Sequence, residues 1–287
     1  MRVGVIDVGS NSVRLLLAEN WVKSLKVATV TKLAEGLDGS GALSQAGMKR
    51  TLDVICEYVD VCNKYLVDSV YAFGTEALRK ATNSVEFIGQ VERETGVKIE
   101  VIDGEMEAQL GLLGALKGRD GGLIDLGGAS LEVTVQKSGK VVYAKSLPIG
   151  VVRMKDRLNQ FGGQAIDYAK GIIEGFNDLT NVENWTIIGG SATQLKSIDL
   201  ALDEYDAEMV NGQVFTLGRV REMAQMLKGK SVQEIAQLKG SSKSRAETIY
   251  GGAVIIYLVM DMLAIKQVTV SEDDNLDGYL LKLKEKI

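Results

Sequence analysis

The sequence has 287 residues, of which 33 are Lys or Arg and 38 are Asp or Glu, so the formal net charge is −5. Hydrophobic residues make up 46% and charged residues 25% of the chain, as in ordinary globular proteins, and the length corresponds to roughly two domains. The acidic balance argues against a general nucleic-acid binder or a membrane-surface binder, since either would carry a basic patch.

Strand-like and helix-like segments alternate along the chain, as judged from β-branched runs and from apolar residues spaced three or four apart. The predicted strands are residues 3–7, 13–18, 69–73, 98–102, 121–125, 130–135 and 185–188. The predicted helices are residues 48–65, 86–95, 103–116, 171–179, 217–227 and 245–262. This alternation is typical of layered α/β folds.

The sequence contains no His. Ser-His-Asp triads, Cys-His pairs and imidazole metal sites are therefore excluded, and acid–base chemistry must use carboxylates. A metal site would consist of oxygen ligands, which favour magnesium, calcium or manganese over zinc.

The two cysteines and the apolar segments indicate a cytoplasmic protein. Cys56 and Cys62 lie six residues apart in a helical segment, on different faces, so we expect no disulfide framework. Asp7 interrupts the N-terminus before a signal-peptide core could form. The most apolar run, residues 253–265, contains Asp261 and falls short of the ~20 residues of a membrane-spanning helix, which predicts a buried core helix and no membrane partner.

A nine-residue motif occurs twice at an offset of 118 residues. GVIDVGSNS at residues 4–12 aligns without gaps with GLIDLGGAS at residues 122–130, and five of the nine positions are identical. The repeat predicts two similar domains, residues 1–117 and 118–287, that face each other across a cleft. A C-terminal helix near residues 275–287 is expected to pack back on the first domain.

Each repeat is suited to binding phosphate. A hydrophobic strand ends in Asp7 or Asp125 and is followed by small residues whose backbone N–H groups can point at an anion. The hydroxyls of Ser10, Ser12 and Ser130 add donors. Because the two Asp side chains are anionic, their role beside phosphate would be to hold a divalent cation. The two hairpins together predict a clamp for a polyphosphate chain.

Two further segments allow either a functional or a purely structural interpretation. The turn at residues 189–193, GGSAT, opens a predicted helix, and it is either an anion site that includes Gly190 and Ser191 or a plain strand-to-helix turn. Arg79 follows a predicted strand end and either binds phosphate bidentately or is a solvated helix charge.

Glu107 lies on the predicted helix 103–116. Helical spacing puts it on one face with Gly111 and Gly114, where a carboxylate could meet a water molecule. Spacing alone, however, favours a solvated surface Glu over a general base.

Taken together, the motifs resemble those of the exopolyphosphatase and guanosine pentaphosphate phosphohydrolase family. The similar stretches cover nearly the whole chain and are residues 6–19 (IDVGSNSVRLLLAE), 74–83 (GTEALRKATN), 99–115 (IEVIDGEMEAQLGLLGA), 123–133 (LIDLGGASLEV), 146–154 (SLPIGVVRM), 188–198 (IGGSATQLKSI) and 244–256 (SRAETIYGGAVII).

The resemblance implies two ribonuclease-H-like (actin-like ATPase) domains flanking an interdomain cleft, and Mg²⁺-dependent removal of a terminal phosphate from inorganic polyphosphate or pppGpp. Glu107 would activate the attacking water and Arg79 would grip phosphate. The metal would be held by Asp7, Asp125 and Glu132. Phosphate would be bound by Ser10, Asn11, Ser12, Gly127, Gly128, Ser130, Gly190 and Ser191.

The chain departs from the family pattern at three positions. Gln109 and Leu276 stand where the family usually has Arg, and Ala129 replaces a Gly whose turn could require a positive φ. These departures motivate one alternative, a non-catalytic regulator that binds guanosine tetra- or pentaphosphate. A small-molecule kinase of the actin-like superfamily is a second alternative. The resemblance also implies a homodimer, and no nucleic-acid polymer is expected as a partner.

Overall fold

The computed structural model describes residues 1–176, 179 and 182–285. It divides into two units: unit 1 consists of Met1–Gly114 and Asn275–Ile287, and unit 2 consists of Ala115–Asp274. The prediction placed the boundary after residue 117, whereas the observed boundary follows residue 114 and falls inside a helix. The C-terminal segment belongs to unit 1.

The strands and helices alternate as the sequence indicates. The strands are β1 (Arg2–Val8), β2 (Ser12–Glu19), β3 (Val22–Val30), β4 (Ser69–Gly74), β5 (Ile99–Val101), β6 (Gly121–Leu126), β7 (Leu131–Lys137), β8 (Lys140–Leu147), β9 (Trp185–Ile188), β10 (Val214–Thr216) and β11 (Gln267–Val270). The helices are α1 (Leu37–Ser40), α2 (Gln45–Lys64), α3 (Glu76–Lys80), α4 (Ser84–Thr95), α5 (Gly104–Leu116), α6 (Val151–Phe161), α7 (Gln164–Ile173), α8 (Gly190–Asp199), α9 (Ala207–Val210), α10 (Leu217–Leu227), α11 (Val232–Ala236), α12 (Ile249–Met262) and α13 (Asn275–Glu285).

The two units contain sheets of the same strand order. In unit 1 the order is β3-β2-β1-β4-β5, with β2 antiparallel to β1 and β3, and with β4 and β5 parallel to β1. In unit 2 the order is β8-β7-β6-β9-β11, with the same directions, and β10 adds an antiparallel edge strand. The predicted α/β class with two ribonuclease-H-like domains is confirmed.

The unit 1 core depends on the C-terminal helix. Leu276 and Leu280 of α13 are buried in one cluster with Val3 and Val5 of β1 and with Leu110 of α5. The helix lies so close to α5 that a methyl group at Gly278 would sit 2.7 Å from the carbonyl carbon of Leu110. Glycine is therefore required where these two helices meet.

The unit 2 core surrounds α12, whose residues 253–256 and 258–260 are buried. The apolar run at residues 253–265 is therefore a core helix over its first ten residues, as predicted. Among the described residues, no helix has the length and hydropathy needed to span a membrane.

The element predictions miss several whole elements as well as exposed strands and helix ends. Helices α1, α6, α9 and α11 and strands β10 and β11 were not predicted. Strands β3 and β8 were not predicted, because most of their side chains are exposed and they lack a regular apolar pattern. The helix predicted for residues 171–179 ends at Ile173, and residues 177 and 178 lie outside the described residues. Helix α12 begins at Ile249 instead of residue 245.

Both cysteines are free, as expected from their spacing. Cys62 is fully buried, and burial raises the pKa of its thiol to about 11. Its sulfur lies where a side chain at Gly4 would sit, 2.8 Å from a β-carbon built there. Cys62 is therefore a packing residue of unit 1.

Candidate active site

One edge of the unit 1 sheet collects the predicted catalytic and phosphate-binding segments. Residues Val8 of β1 and Val101 of β5 both pair with Gly74 of β4, so these three parallel strands end at the same level. The loop 9–11, helix α3 and helix α5 follow these strand ends. Ligands of open α/β sheets bind outside the carboxyl ends of the strands, so the position of this edge favours a binding role.

The loop between β1 and β2 is fixed by backbone hydrogen bonds. Gly9 N donates to Ser12 O over 3.0 Å, and the carbonyl groups of Ser10 and Asn11 accept from backbone N–H groups of the segment 31–34 over 2.9–3.0 Å. The side chains of Ser10 and Asn11 are buried. The loop is thus held in place before any ligand binds.

Asp7 is paired with a cation that the sequence analysis did not consider. In the β1–β2 register Asp7 lies directly opposite Arg14, so both side chains project from the same face. Arg14 Nε donates to Asp7 Oδ2 over 2.7 Å, and Arg14 Nη2 contacts the same oxygen. The buried carboxylate of Asp7 therefore has one oxygen paired with a cation, and its predicted role as a metal ligand stays a prediction.

Arg79 and Glu107 form an ion pair in unit 1. Arg79 Nη1 lies 2.7 Å from Glu107 Oε2 and donates to Ile102 O over 2.8 Å, while Arg79 Nη2 lies 3.1 Å from Glu76 Oε2. Glu107 is buried, with only 7% of its surface exposed. The interpretation from spacing alone, that Glu107 is a solvated surface charge, is wrong, because the side chain is buried beside Arg79.

The electrostatics of the pair keep Arg79 charged. Burial acts to lower the pKa of the Arg79 guanidinium, but the carboxylates of Glu107 and Glu76 raise it by more. The net shift is upward, so Arg79 remains a cation throughout the working pH range. A permanent cation beside a buried carboxylate is suited to a site where water and phosphate meet.

The corresponding loop of unit 2 repeats the geometry of the first. Gly127 N donates to Ser130 O over 3.0 Å, as Gly9 N does to Ser12 O, and Val151 N and Val152 N donate to the carbonyl groups of Gly127 and Gly128. Ala129 is fully buried but does not have a positive φ. Its methyl group therefore causes none of the backbone strain that the sequence comparison suggested.

Two carboxylates face each other across the second hairpin. Asp125 is paired with Glu132 in the β6–β7 register, at the position where the first hairpin has Arg14 opposite Asp7. Glu132 is buried, and its Oε1 accepts a hydrogen bond from Ser146 Oγ over 2.6 Å. Within residues 1–176, 179 and 182–285, no cluster of three or more Asp, Glu, Cys or His side chains is arranged to hold a metal ion.

The glycine turn after β9 packs closely against its surroundings. Gly189 has a φ of 103° and opens α8, so the helix begins earlier than predicted. An added side chain at Gly190 would lie 2.5 Å from the Arg245 guanidinium carbon. Gly190 and the buried Ser191 thus lie at a helix N-terminus beside a cation, which makes the predicted anion site chemically reasonable.

Gly150 packs directly against the loop between β6 and β7, and we expect Gly150→Ala to disturb this loop. A methyl group at position 150 would lie 2.5 Å from Ala129 N, and nearer still to the Gly128 carbonyl. Because backbone atoms would have to move, we expect a stability loss of about 1–3 kcal/mol, which urea unfolding would measure. Gly163→Ala is the matched control, since Gly163 also caps a helix and has no atoms within 4 Å of an added methyl. Equal stability of the two variants would contradict this role.

The remaining departures from the family pattern lie away from the loops. Gln109 is exposed, and its Nε2 donates to Glu105 Oε1 over 3.4 Å. Leu276 is fully buried in the unit 1 core. Leu276 is thus a packing residue, and an Arg at that position would need a different docking of α13.

The structure brings the predicted residues together within each unit. In unit 1 one sheet edge carries Asp7, Ser10, Asn11, Ser12, Arg79 and Glu107, and in unit 2 one sheet edge carries Asp125, Gly127, Gly128, Ser130, Glu132, Gly190 and Ser191. The sequence analysis missed Arg14, Glu76, Gly150 and Arg245. The hairpin register was a usable signal for Arg14, since antiparallel pairing across the short loop sets it opposite Asp7.

Comparison with known proteins shows which family this chain resembles. The model of the Ppx/GppA phosphatase family matches residues 22–286. A guanosine-5′-triphosphate,3′-diphosphate pyrophosphatase of Aeromonas hydrophila is 30% identical over 97% of this chain and 58% of its own length. Exopolyphosphatase 2 of Mycobacterium tuberculosis is 27% identical over 98% of both chains.

The lengths of the relatives differ. The chain spans 58% of the Aeromonas protein and 46% of a bifunctional 3-dehydroquinate synthase/phosphatase from Fusobacterium nucleatum, which is about half the length of these curated relatives. A solved structure of an exopolyphosphatase-like protein superposes with a TM-score of 0.92 at 25% identity, covering 100% of this chain and 99% of the other. The family model matches nearly the whole chain, and the chain has the fold of this solved structure. The chain therefore belongs to the Ppx/GppA phosphatase family.

Proposed function

We propose that this chain is a phosphoanhydride hydrolase that releases the terminal phosphate of inorganic polyphosphate, of pppGpp, or of both, by attack of water. The observation that carries the proposal is the buried Glu107 carboxylate, paired with Arg79 at the sheet edge that also bears the rigid loop 9–11. The names of the relatives from Aeromonas hydrophila and Mycobacterium tuberculosis support the two substrates.

In the proposed reaction Glu107 accepts a proton from the attacking water. Arg79 and the backbone N–H groups of the loop 9–11 stabilise the charge on the phosphoryl group being transferred. The bond between the terminal phosphorus and its bridging oxygen breaks, and the shortened phosphate chain leaves with the electron pair. Phosphate is a good leaving group, so the reaction needs no strong general acid, in keeping with a chain that has no His.

The residues of the second hairpin suit a magnesium ion in part. Mg²⁺ is usually bound by one or two carboxylates, together with water and substrate phosphate, and Asp125 and Glu132 form such a pair. Asp7, the third predicted ligand, differs from them because Arg14 pairs with its Oδ2 atom. When bound, the metal would neutralise phosphate oxygens.

The decisive experiment is phosphate release from polyphosphate of defined lengths and from pppGpp, measured side by side with and without Mg²⁺. We expect release from at least one of these substrates, and a rate that falls when Mg²⁺ is removed by a chelator. Tight binding of pppGpp without turnover would support the regulator, and ATP consumption that requires an organic acceptor would support the kinase. Either result would overturn the proposal.

The structure weakens the case for a regulator without catalysis. Two of the three departures that motivate it, Ala129 and Leu276, are buried packing residues without backbone strain. The third, Gln109, is exposed and hydrogen-bonded to Glu105. A homodimer and a cytoplasmic location remain part of the proposal, and they rest on the family resemblance and on the two free cysteines.

A further inference from the structure

Four side chains of alternating charge form a series of ion pairs from the surface of unit 1 to Glu107. Lys80 Nζ lies 2.7 Å from Glu76 Oε1, Glu76 Oε2 lies 3.1 Å from Arg79 Nη2, and Arg79 Nη1 lies 2.7 Å from Glu107 Oε2. The Lys80 side chain is 47% exposed, whereas those of Glu76 and Glu107 are only 9% and 8% exposed. Charge at the solvent end is thus linked to the buried carboxylate by direct contacts.

Among these four charged side chains, Glu76 holds Arg79 in place. Glu76, Arg79 and Lys80 all lie on the short helix α3, so Glu76 meets Arg79 at i+3 and Lys80 at i+4. Each carboxylate oxygen of Glu76 therefore has a cationic partner from its own helix. Glu107 lies on a different helix, α5, and approaches the other end of the same guanidinium.

We propose that Glu76 is a positioning residue that acts through Arg79 to keep Glu107 a strong enough base to activate water. The inference rests on the proposed function. One guanidinium charge is shared between two carboxylates, so neither of them receives its full stabilisation. Without Glu76, the charge of Arg79 would act on Glu107 alone, which would favour the ionised form of Glu107 and weaken it as a proton acceptor.

Other charged groups lie on the elements around Glu107. Glu105 on α5 and Asp103, just before that helix, are exposed. Glu100 on β5 is also exposed, and its Oε2 accepts a hydrogen bond from Tyr279 over 3.2 Å. On α13, Lys282 contacts the sulfur of Met106. Because the three acidic groups are exposed, solvent screens their effect on Glu107 more than it screens that of buried Glu76.

The test is the pH dependence of kcat/KM for phosphate release by Glu76→Gln. The amide keeps the size of the side chain and removes its charge. We expect the acidic limb of the profile to move to lower pH by about 0.5–1 unit, because the removed negative charge no longer opposes ionisation of Glu107. The kcat on the plateau should fall about three-fold, since a weaker base accepts a proton less readily.

Three variants serve as controls. Glu76→Asp keeps the charge and should restore the parental limb at least partly. Lys80→Met removes the cation that offsets Glu76, so the limb should move in the opposite direction, and by less because Lys80 is half exposed. Glu105→Gln removes an exposed carboxylate from α5 and should leave the limb where it is.

The outcomes separate this inference from the proposed function. If the parent chain releases no phosphate from polyphosphate or pppGpp, the proposed function fails. If the parent is active, Glu107→Gln is inactive, and Glu76→Gln keeps the parental acidic limb, only the role of Glu76 is overturned. A reduced kcat with an unmoved limb also overturns it, since that is what a merely structural role would produce. Thermal unfolding of each variant shows whether it is folded.

Discussion

Replacing Glu107 by Gln is expected to slow phosphate release by about 10²–10⁴-fold. The amide keeps the shape of the side chain but cannot take a proton from water. Arg79 would still contact Glu76 and the Ile102 carbonyl group, so unit 1 should remain folded. Initial rates with polyphosphate and with pppGpp, measured beside thermal unfolding of the same samples, would separate lost chemistry from lost structure.

The matched control for this substitution is Glu105→Gln. Glu105 lies on the same helix but is exposed, and Gln109 donates to its carboxylate. We expect the control to keep the parental rate to within about two-fold, as for other exposed positions. Phosphate release by Glu107→Gln at the parental rate would show that another group activates the water.

The largest loss of stability is expected from Gly278→Ala. A methyl group there would lie 2.7 Å from the carbonyl carbon of Leu110 and 3.0 Å from its α-carbon, both of them backbone atoms that no rotamer change can move. Helix α13 would have to shift away from α5, at a cost of about 1–3 kcal/mol or more. Urea unfolding followed by tryptophan fluorescence would measure this loss, because Trp21 packs against the same core.

Gly171→Ala provides the comparison. Gly171 lies in helix α7, is exposed, and has no atoms within 4 Å of an added methyl. Alanine at an open helical position stabilises by up to about 1 kcal/mol, so this variant should be at least as stable as the parent. If Gly278→Ala were equally stable, the close approach of α13 to α5 would be wrong.

The parts of the site that local sequence determines were predictable. Both hairpins were identified from the nine-residue repeat, and in both the first Gly of the turn donates to the Ser three residues later over 3.0 Å. Such turns depend on small residues at set positions, which a single sequence displays directly. The glycine turn before α8 was predictable for the same reason.

The parts that depend on packing between distant segments were not predictable from spacing. Glu107 is placed on the surface by a helical wheel, but its side chain is buried and contacts Arg79, which lies 28 positions earlier. The importance of Gly150 likewise arises from contact with Ala129, 21 positions earlier in the sequence. For Glu107 only the family resemblance pointed to a catalytic role, and that assignment remains a prediction until the variant is measured.

The two hairpins carry different charges at a position just beyond the nine-residue repeat. The aligned nine residues end before Arg14 and Glu132, which occupy equivalent register positions opposite Asp7 and Asp125. One hairpin therefore carries a neutralised pair and the other carries two acids. The prediction that both Asp residues hold a metal came from comparing only the nine repeated residues.

The return of the final helix to unit 1 has a consequence for how the protein is made. Leu276 and Leu280 complete a core whose other members come mostly from the first 110 residues. During synthesis the apolar surface of these early strands stays exposed until α13 has been translated. Unit 2 is translated before α13 and can already fold. Messages truncated upstream of residue 275 should therefore yield polypeptides with a finished second lobe and an unfinished first one, prone to aggregation and reliant on chaperones.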